Sequence, residues 1–388
     1  MKENGKYRLL QGSYWALFCT GYGYVTYFLM NWGYTAGEVG IITAVFGALA
    51  ALLQPLLGRL ADRGGRFGWK PLLLCLASVC LASAVGLCLL RTKLLLGILY
   101  GLLLLCLNAM MPLVNAASFY YQSQKIAVDF GVARGVGSLC YAVTSLLLGR
   151  LTALAGAPAV PLAGVVAAAL VLAATLWLPY HPSQPTPQQA AARGPVAGRF
   201  LTRYPTFTIM LAGLVLLLAF HNITNTYLYQ MLQAVGGDSN SLGTALAIAA
   251  VMELPVMFGF SHIIRRCRAA VLLAFAGCIF TAKAVLFLCA GSVWLINAAQ
   301  LLQMLSFALF ASASVYYAEQ SMAPADKVSG QAWMSCTITA GAIIGNLTGG
   351  WVLDVGGVRP MLWLALAFAA VGAVIVCLAA HRKEGVGG

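Results

Sequence analysis

Apolar runs of twenty residues or more recur along most of the chain, separated by short polar stretches. A helix needs about 20 apolar residues to cross a bilayer, and twelve segments meet that length: 9–32, 39–61, 71–90, 94–119, 130–153, 158–180, 205–230, 240–263, 269–290, 293–318, 328–353 and 360–380. Most connections are only a few residues long. Successive spans should therefore be antiparallel neighbours, with no room for a catalytic domain outside the membrane. An even number of spans puts both termini on one side.

One stretch departs from this pattern. His181 to Arg203 is rich in Pro and Gln and lies near the midpoint, where it reads as a flexible linker. It divides the chain into an N-terminal six-helix half, 1–180, a cytoplasmic linker, 181–203, and a C-terminal six-helix half, 204–388. The halves look duplicated: Ser118–Gln124 (SFYYQSQ) returns 196 positions later as Ser314–Gln320 (SVYYAEQ), and Gln54-Pro55 corresponds to Glu253-Leu254-Pro255. Repeated halves related by an axis along the membrane normal are a transporter architecture with the substrate site where the repeats meet. The expected fold is all-α and integral to the membrane, twelve transmembrane helices in two pseudo-symmetric halves.

Composition agrees. With 61% hydrophobic and 9% charged residues, too few polar side chains exist to cover a soluble core. Of 23 Lys and Arg, seventeen fall on the side of the termini, and only Arg91, Lys93, Arg150 and Arg359 fall opposite. The positive-inside rule then places both termini in the cytoplasm, the protein lying in the inner or plasma membrane. Its formal charge of +13 thus reads as an orientation signal with some affinity for anionic lipid heads, and the scatter of the basic residues argues against nucleic-acid binding. The N-terminus leads into the first span without a cleavage site, as a first helix rather than a signal peptide. The eleven cysteines sit singly in apolar runs, apart from Cys267 in a basic loop, and read as free thiols. The four histidines are isolated and no phosphate-binding glycine loop is present, so neither a metal, a cofactor nor an enzymatic site is expected.

Charge in hydrocarbon costs about 3 kcal/mol on insertion scales, so the few mid-span charges are the best functional pointers. Glu253 is the one acidic residue in mid-span, and Lys283 and Arg134 are the candidate cations. Glu253 and Lys283 either form a fixed ion pair or make Glu253 the buried acid of a proton-coupled carrier. Arg134, five residues after Asp129, either lines the cavity or snorkels to the interface. Asn222 with Asn225, and Gln303 with Ser306, share helix faces at i, i+3 spacing. His221 and Gln300 lie in the same spans, and Trp15, Phe18, Tyr22 and Tyr141 supply aromatic surface. Such a cavity suits hydroxylated or heterocyclic solutes.

The loop Gly58-Arg59-Leu60-Ala61-Asp62-Arg63-Gly64-Gly65-Arg66 resembles the signature loop of the major facilitator superfamily (MFS). Gln54-Pro55-Leu56-Leu57-Gly58 and Phe130-Gly131-Val132-Ala133-Arg134-Gly135-Val136-Gly137 are similar to the lactose permease branch of oligosaccharide and nucleoside proton symporters. The resemblance implies that Arg134 and Glu253 recognise hydroxyls and that Tyr141 stacks on the solute. It also implies that Gly58, Asp62, Arg63 and Arg66 belong to a gating loop. The chain departs from that branch in the tenth span, where Gln303 and Ser306 stand for a histidine and a proton-carrying glutamate. Asn222 and Asn225 replace aspartates, Ile338 stands for their lysine partner, and Lys283 stands for an arginine.

The resulting expectation is a secondary transporter that moves a small sugar- or nucleoside-like solute by alternating access, as a monomer among membrane lipids. The substrate contacts are Arg134, Tyr141, Glu253, Lys283, Asn222, Asn225, Gln303 and Ser306, and Glu253 carries a coupling proton. A small organic anion carrier and an uncoupled facilitator are the alternatives within this class. A lipid scramblase or a non-transporting receptor is the alternative outside it.

Overall fold

The computed structural model describes residues 2–62, 68–124, 126, 128–180, 197–323 and 326–382. They form α1 (Lys2–Phe18), a π-turn (Cys19–Gly23), α2 (Val25–Asn31), α3 (Ala36–Asp62), α4 (Trp69–Leu89), α5 (Lys93–Ser123), α6 (Phe130–Ala155) and α7 (Ala159–Trp177). Then follow α8 (Ala197–Arg203), α9 (Pro205–Thr226), α10 (Leu228–Ala234), α11 (Ser239–Ile263), α12 (Ala269–Cys289), α13 (Val293–Leu301), a second π-turn (Met304–Ala308), α14 (Leu309–Gln320), α15 (Lys327–Gly356) and α16 (Val358–His381). Eleven helices among the described residues are long and apolar enough to cross a membrane. The first expected span, 9–32, is divided into α1, the π-turn and α2. Of the expected linker, residues 181–196 lie outside the described residues and 197–203 form α8.

Helix starts follow local chemistry. At α3, the Thr35 hydroxyl accepts from Glu38 N (3.2 Å) while the Glu38 carboxylate accepts from Thr35 N (2.8 Å), a reciprocal capping box. Asp129 caps α6 by accepting from Val132 N at 3.0 Å. Its counterpart in the repeat, Asp326, does not cap α15 but accepts from Tyr204 Oη (2.7 Å) and pairs with Arg203 (3.0 Å). Asp238 accepts from the backbone N–H and the hydroxyl of Ser241, both at 2.8 Å, before α11. These bonds hold its carboxyl below the usual range. The cap therefore contributes stability above the carboxylate's ordinary pKa and loses it as pH falls through the depressed one.

The chain groups into two compact units, Met1–Ala190 with Asp238–Val251, and Ala191–Gly237 with Met252–Gly388. In the first, α1 packs on α6 and α7, and α5 on α3 and α4. Hydrocarbon offers no water to backbone groups, so buried hydroxyls can secure helices by donating to spare carbonyl lone pairs. Tyr14 donates to Leu107 O (3.0 Å), Tyr24 to Ser145 O (2.7 Å), and Tyr100 to Gly21 O (2.7 Å) within the first π-turn. The N-terminal part of α11 approaches α6 backbone to backbone. A Cβ on Gly243 would lie 2.3 Å from Ser145 O and 3.1 Å from Gly149 Cα. Neither partner is a side chain that can turn aside. Gly243→Ala should therefore lower stability by about 1–3 kcal/mol, read as a lower Tm of the purified protein, whereas Gly259→Ala, where a Cβ meets nothing within 4 Å, should leave it unchanged.

In the second unit α9 packs on α15 and α16, and α12 on α14 and α16. The small residues Gly345 and Gly349 face α9, and a Cβ on Gly345 would lie 2.4 Å from Ala219 O. Their four-residue spacing thus serves close helix packing.

Candidate functional site

Three polar residues from separate helical segments of the second unit form a relay. Glu253 lies two residues before Pro255 in α11, Lys283 is 1% exposed in α12, and Gln303 is buried between α13 and the second π-turn. Lys283 Nζ donates to Gln303 Oε1 at 2.6 Å, and Gln303 Nε2 donates to Glu253 Oε1 at 3.1 Å. An ammonium only donates and an ionised carboxylate only accepts, so the amide has one orientation that satisfies both. Gln303 thereby bridges a buried cation and an anion. The Lys283 ammonium also sits 5.4 Å from the Phe287 ring centroid.

The second π-turn follows directly. Its wide bond runs from Ala308 N to Gln303 O at 3.2 Å, and such turns are frequent at functional sites. It sets Phe307 flat against His221, ring centroids 4.2 Å apart and planes within 5°. Asn225 Nδ2 donates to His221 Nε2 at 2.8 Å. One turn before Gln303, Gln300 is buried with its Oε1 unbonded.

Two expected solute contacts bond to their own backbone. Asn222 Nδ2 donates to Leu218 O (2.8 Å) and the Ser306 hydroxyl to Leu302 O (2.7 Å), each within its own helical segment. Their i, i+3 partners Asn225 and Gln303 join the His221 pair and the relay instead.

The first unit holds a second polar centre on an aromatic stripe. Arg134 of α6 donates from Nη1 to the Ser138 hydroxyl at 2.8 Å, and its guanidinium carbon lies 3.8 Å from the Trp15 ring centroid. A half-buried cation–π contact of this kind contributes about 1 kcal/mol. Trp15 Nε1 donates to Gln11 Oε1 (3.2 Å), and Gln11 Nε2 to Tyr7 Oη (2.8 Å), which fixes the indole. The stripe continues along one face of α1 and the first π-turn: Trp15 to Phe18 at 5.1 Å, then Phe18 stacked on Tyr22 at 4.7 Å. Asn108 donates to Tyr22 Oη, and Gln54 donates to Asn108 O at 3.0 Å. Tyr141 packs against the cluster Ala142, Ala247 and Ala250.

The expected gating loop is only partly in view. Gly58 is exposed near the end of α3, while Arg63, Arg66 and the side chain of Asp62 lie outside the described residues. Among the described residues no three His, Cys, Asp or Glu are grouped to hold a metal ion.

A model of the MFS_1 like family matches residues 10–364. The chain belongs to the MFS_1-like family. It is similar to a maltose permease of Geobacillus stearothermophilus, 25% identical over 363 residues that cover 91% of this chain and 88% of the relative. Among solved structures, the nucleoside transporter NupG superposes with a TM-score of 0.82 at 17% identity, covering 99% of this chain and 100% of that one. A bacterial homolog of the human lysosomal transporter Spinster, in an inward-facing and unoccupied conformation, gives 0.72 at 14% identity over 98% and 96%. This MFS_1-like chain is thus a multi-pass membrane transporter with the major facilitator fold, and not an enzyme.

Arg134, Glu253, Lys283 and Gln303 were legible as polar groups in apolar spans. Trp15 and His221 complete the two centres. Their signals were an aromatic in the first span and a histidine four residues before Asn225, but neither reveals which residue it will meet.

Proposed function

We propose that this MFS_1-like transporter carries a small, neutral, polyhydroxylated or heterocyclic solute across the cell membrane by alternating access, driven by protons through Glu253. The observation that carries this reading is the Glu253–Gln303–Lys283 relay, a carboxylate linked by a single amide to a fully buried ammonium. An ionised acceptor makes a hydrogen bond roughly twice as strong as a neutral one. Protonation of Glu253 therefore loosens Gln303, and through it alters the field on Lys283. Solute hydroxyls can then compete for the same groups. The likeness of the chain to a maltose permease and to a nucleoside transporter supports this solute class.

Arg134, Tyr141, Asn225, Asn222 and Ser306 are proposed as further solute contacts. The halves 1–180 and 204–388 are proposed as the moving bodies, joined by 181–203, with Gly58, Asp62, Arg63 and Arg66 in the gating loop. Both termini are proposed to be cytoplasmic, on the distribution of Lys and Arg, and the monomer is proposed as the working unit.

Ligand-induced thermal stabilisation tests the solute class, because binding to the folded state raises its stability by mass action. Maltose, other disaccharides, nucleosides and aliphatic or aromatic acids are compared by their Tm shifts. A neutral sugar or nucleoside should stabilise the protein. Stabilisation by acids alone would overturn the reading in favour of an anion carrier.

The relay also predicts a stability effect. Gln303→Leu removes the amide that accepts from the buried Lys283 ammonium and should cost about 1.5–3 kcal/mol. Gln303→Glu, which restores an acceptor for Lys283 but sets a second carboxylate against Glu253, should recover only part of the lost Tm. Equal Tm values for Gln303→Leu and wild type would contradict the role given to the amide.

A further inference from the structure

Away from both polar centres, a cavity of about 380 Å³ opens where α11 ends and α12 begins. Its size falls within the range of about 300–1,000 Å³ usual for small-molecule sites. Arg265, Arg266, Cys267 and Arg268 of the turn line it, together with Tyr317 and Gln320 of α14. Three arginines thus face one cavity and no acidic residue lines it. None of the ion pairs formed among the described residues includes any of the three.

The walls are built rather than loose. Tyr317 is 1% exposed, and Gln320 Oε1 accepts from Ala269 N at 3.4 Å, tying α14 to the start of α12. Arg265 Nε is anchored on Ser261 O at 3.0 Å. Like charges gathered in one cavity repel one another, and the arrangement becomes favourable when an anion neutralises them. Guanidinium groups match phosphate oxygens bidentately and are weakly hydrated, which suits them to phosphate better than to a monovalent halide.

We propose that this turn is a phosphate-binding site, taking either the headgroup phosphate of an anionic lipid or a soluble phosphate. It joins the helix that carries Glu253 to the helix that carries Lys283, so its occupancy bears on the segment between the two ends of the relay. The inference does not depend on the nature of the transported solute.

The test uses the purified full chain in a neutral detergent, with Tm measured against dioctanoyl phosphatidylglycerol, dioctanoyl phosphatidylcholine, inorganic phosphate and chloride at matched ionic strength. Phosphatidylglycerol or inorganic phosphate should raise Tm, and phosphatidylcholine and chloride should not. A response to phosphatidylglycerol alone assigns the site to lipid, and a response to phosphate alone assigns it to a soluble anion. Replacing Arg265, Arg266 and Arg268 with Gln should weaken the apparent affinity by roughly fivefold per residue, about 100-fold together. The same change at Arg150, Arg359 and Arg382 should leave it intact. Cys267 supplies a second readout in the wild-type chain: its alkylation by a maleimide, identified by loss of signal in Cys267→Ser, should slow when the ligand is present. No shift from either phosphate source, an equal shift in the Arg265/266/268 variant, or unprotected Cys267 at saturating ligand would overturn the proposal.

Discussion

Glu253→Gln should abolish accumulation of solute against its gradient while leaving exchange across the membrane intact. The substitution keeps the shape of the side chain and an oxygen that can accept from Gln303 Nε2, now at 3.1 Å from the carboxylate, but removes the group that gains and loses a proton. The variant should fold, bind solute and equilibrate it, with an accumulation ratio that falls to unity in cells or proteoliposomes under an imposed pH gradient. The other buried groups do not replace it: Lys283 is held by Gln303 and His221 by Asn225 and the Phe307 ring. Accumulation persisting in Glu253→Gln would remove Glu253 from the coupling step.

Arg134→Lys should lower solute affinity by about 10- to 100-fold although the charge is retained. The guanidinium sits over the Trp15 ring and donates from Nη1 to Ser138, and its planar fork has the geometry to meet two vicinal hydroxyls at once. A lysine ammonium is a point charge, more strongly hydrated and unable to stack. Loss of charge-assisted hydrogen bonds worth about 1.5–3 kcal/mol accounts for the range. Trp15→Leu should reproduce part of the loss by unseating the guanidinium. Unchanged affinity in Arg134→Lys, measured by titration of the purified protein, would assign Arg134 a purely structural role on the aromatic stripe.

The membrane architecture was legible because it rests on length and solvent: an apolar run of about twenty residues has few alternatives to a spanning helix. Glu253, Lys283 and Arg134 were legible because charge in hydrocarbon demands a reason. What each charge meets was not legible. The amide that joins Lys283 to Glu253 lies 20 residues from one and 50 from the other, and no periodicity relates positions on different helices. Nor does sequence announce the π-turn at Met304–Ala308, whose extra residue sets Phe307 against His221. Face arguments gave mixed results for the same reason. Spacing placed Asn222 and Ser306 beside useful partners, but a hydroxyl or amide in a helix can turn back to a carbonyl one turn earlier, and both do. Repeat pairs diverge likewise: Asp129 caps its helix whereas Asp326 meets Tyr204 and Arg203.

Proton movement in proteoliposomes on addition of the stabilising solute tests the central claim most directly. With a pH-sensitive dye in the lumen and no imposed gradient, inward solute flux through the wild-type chain should acidify the lumen, and flux through Glu253→Gln should not. Solute uptake by the wild-type chain with no accompanying change in luminal pH would contradict proton coupling through the Glu253–Gln303–Lys283 relay.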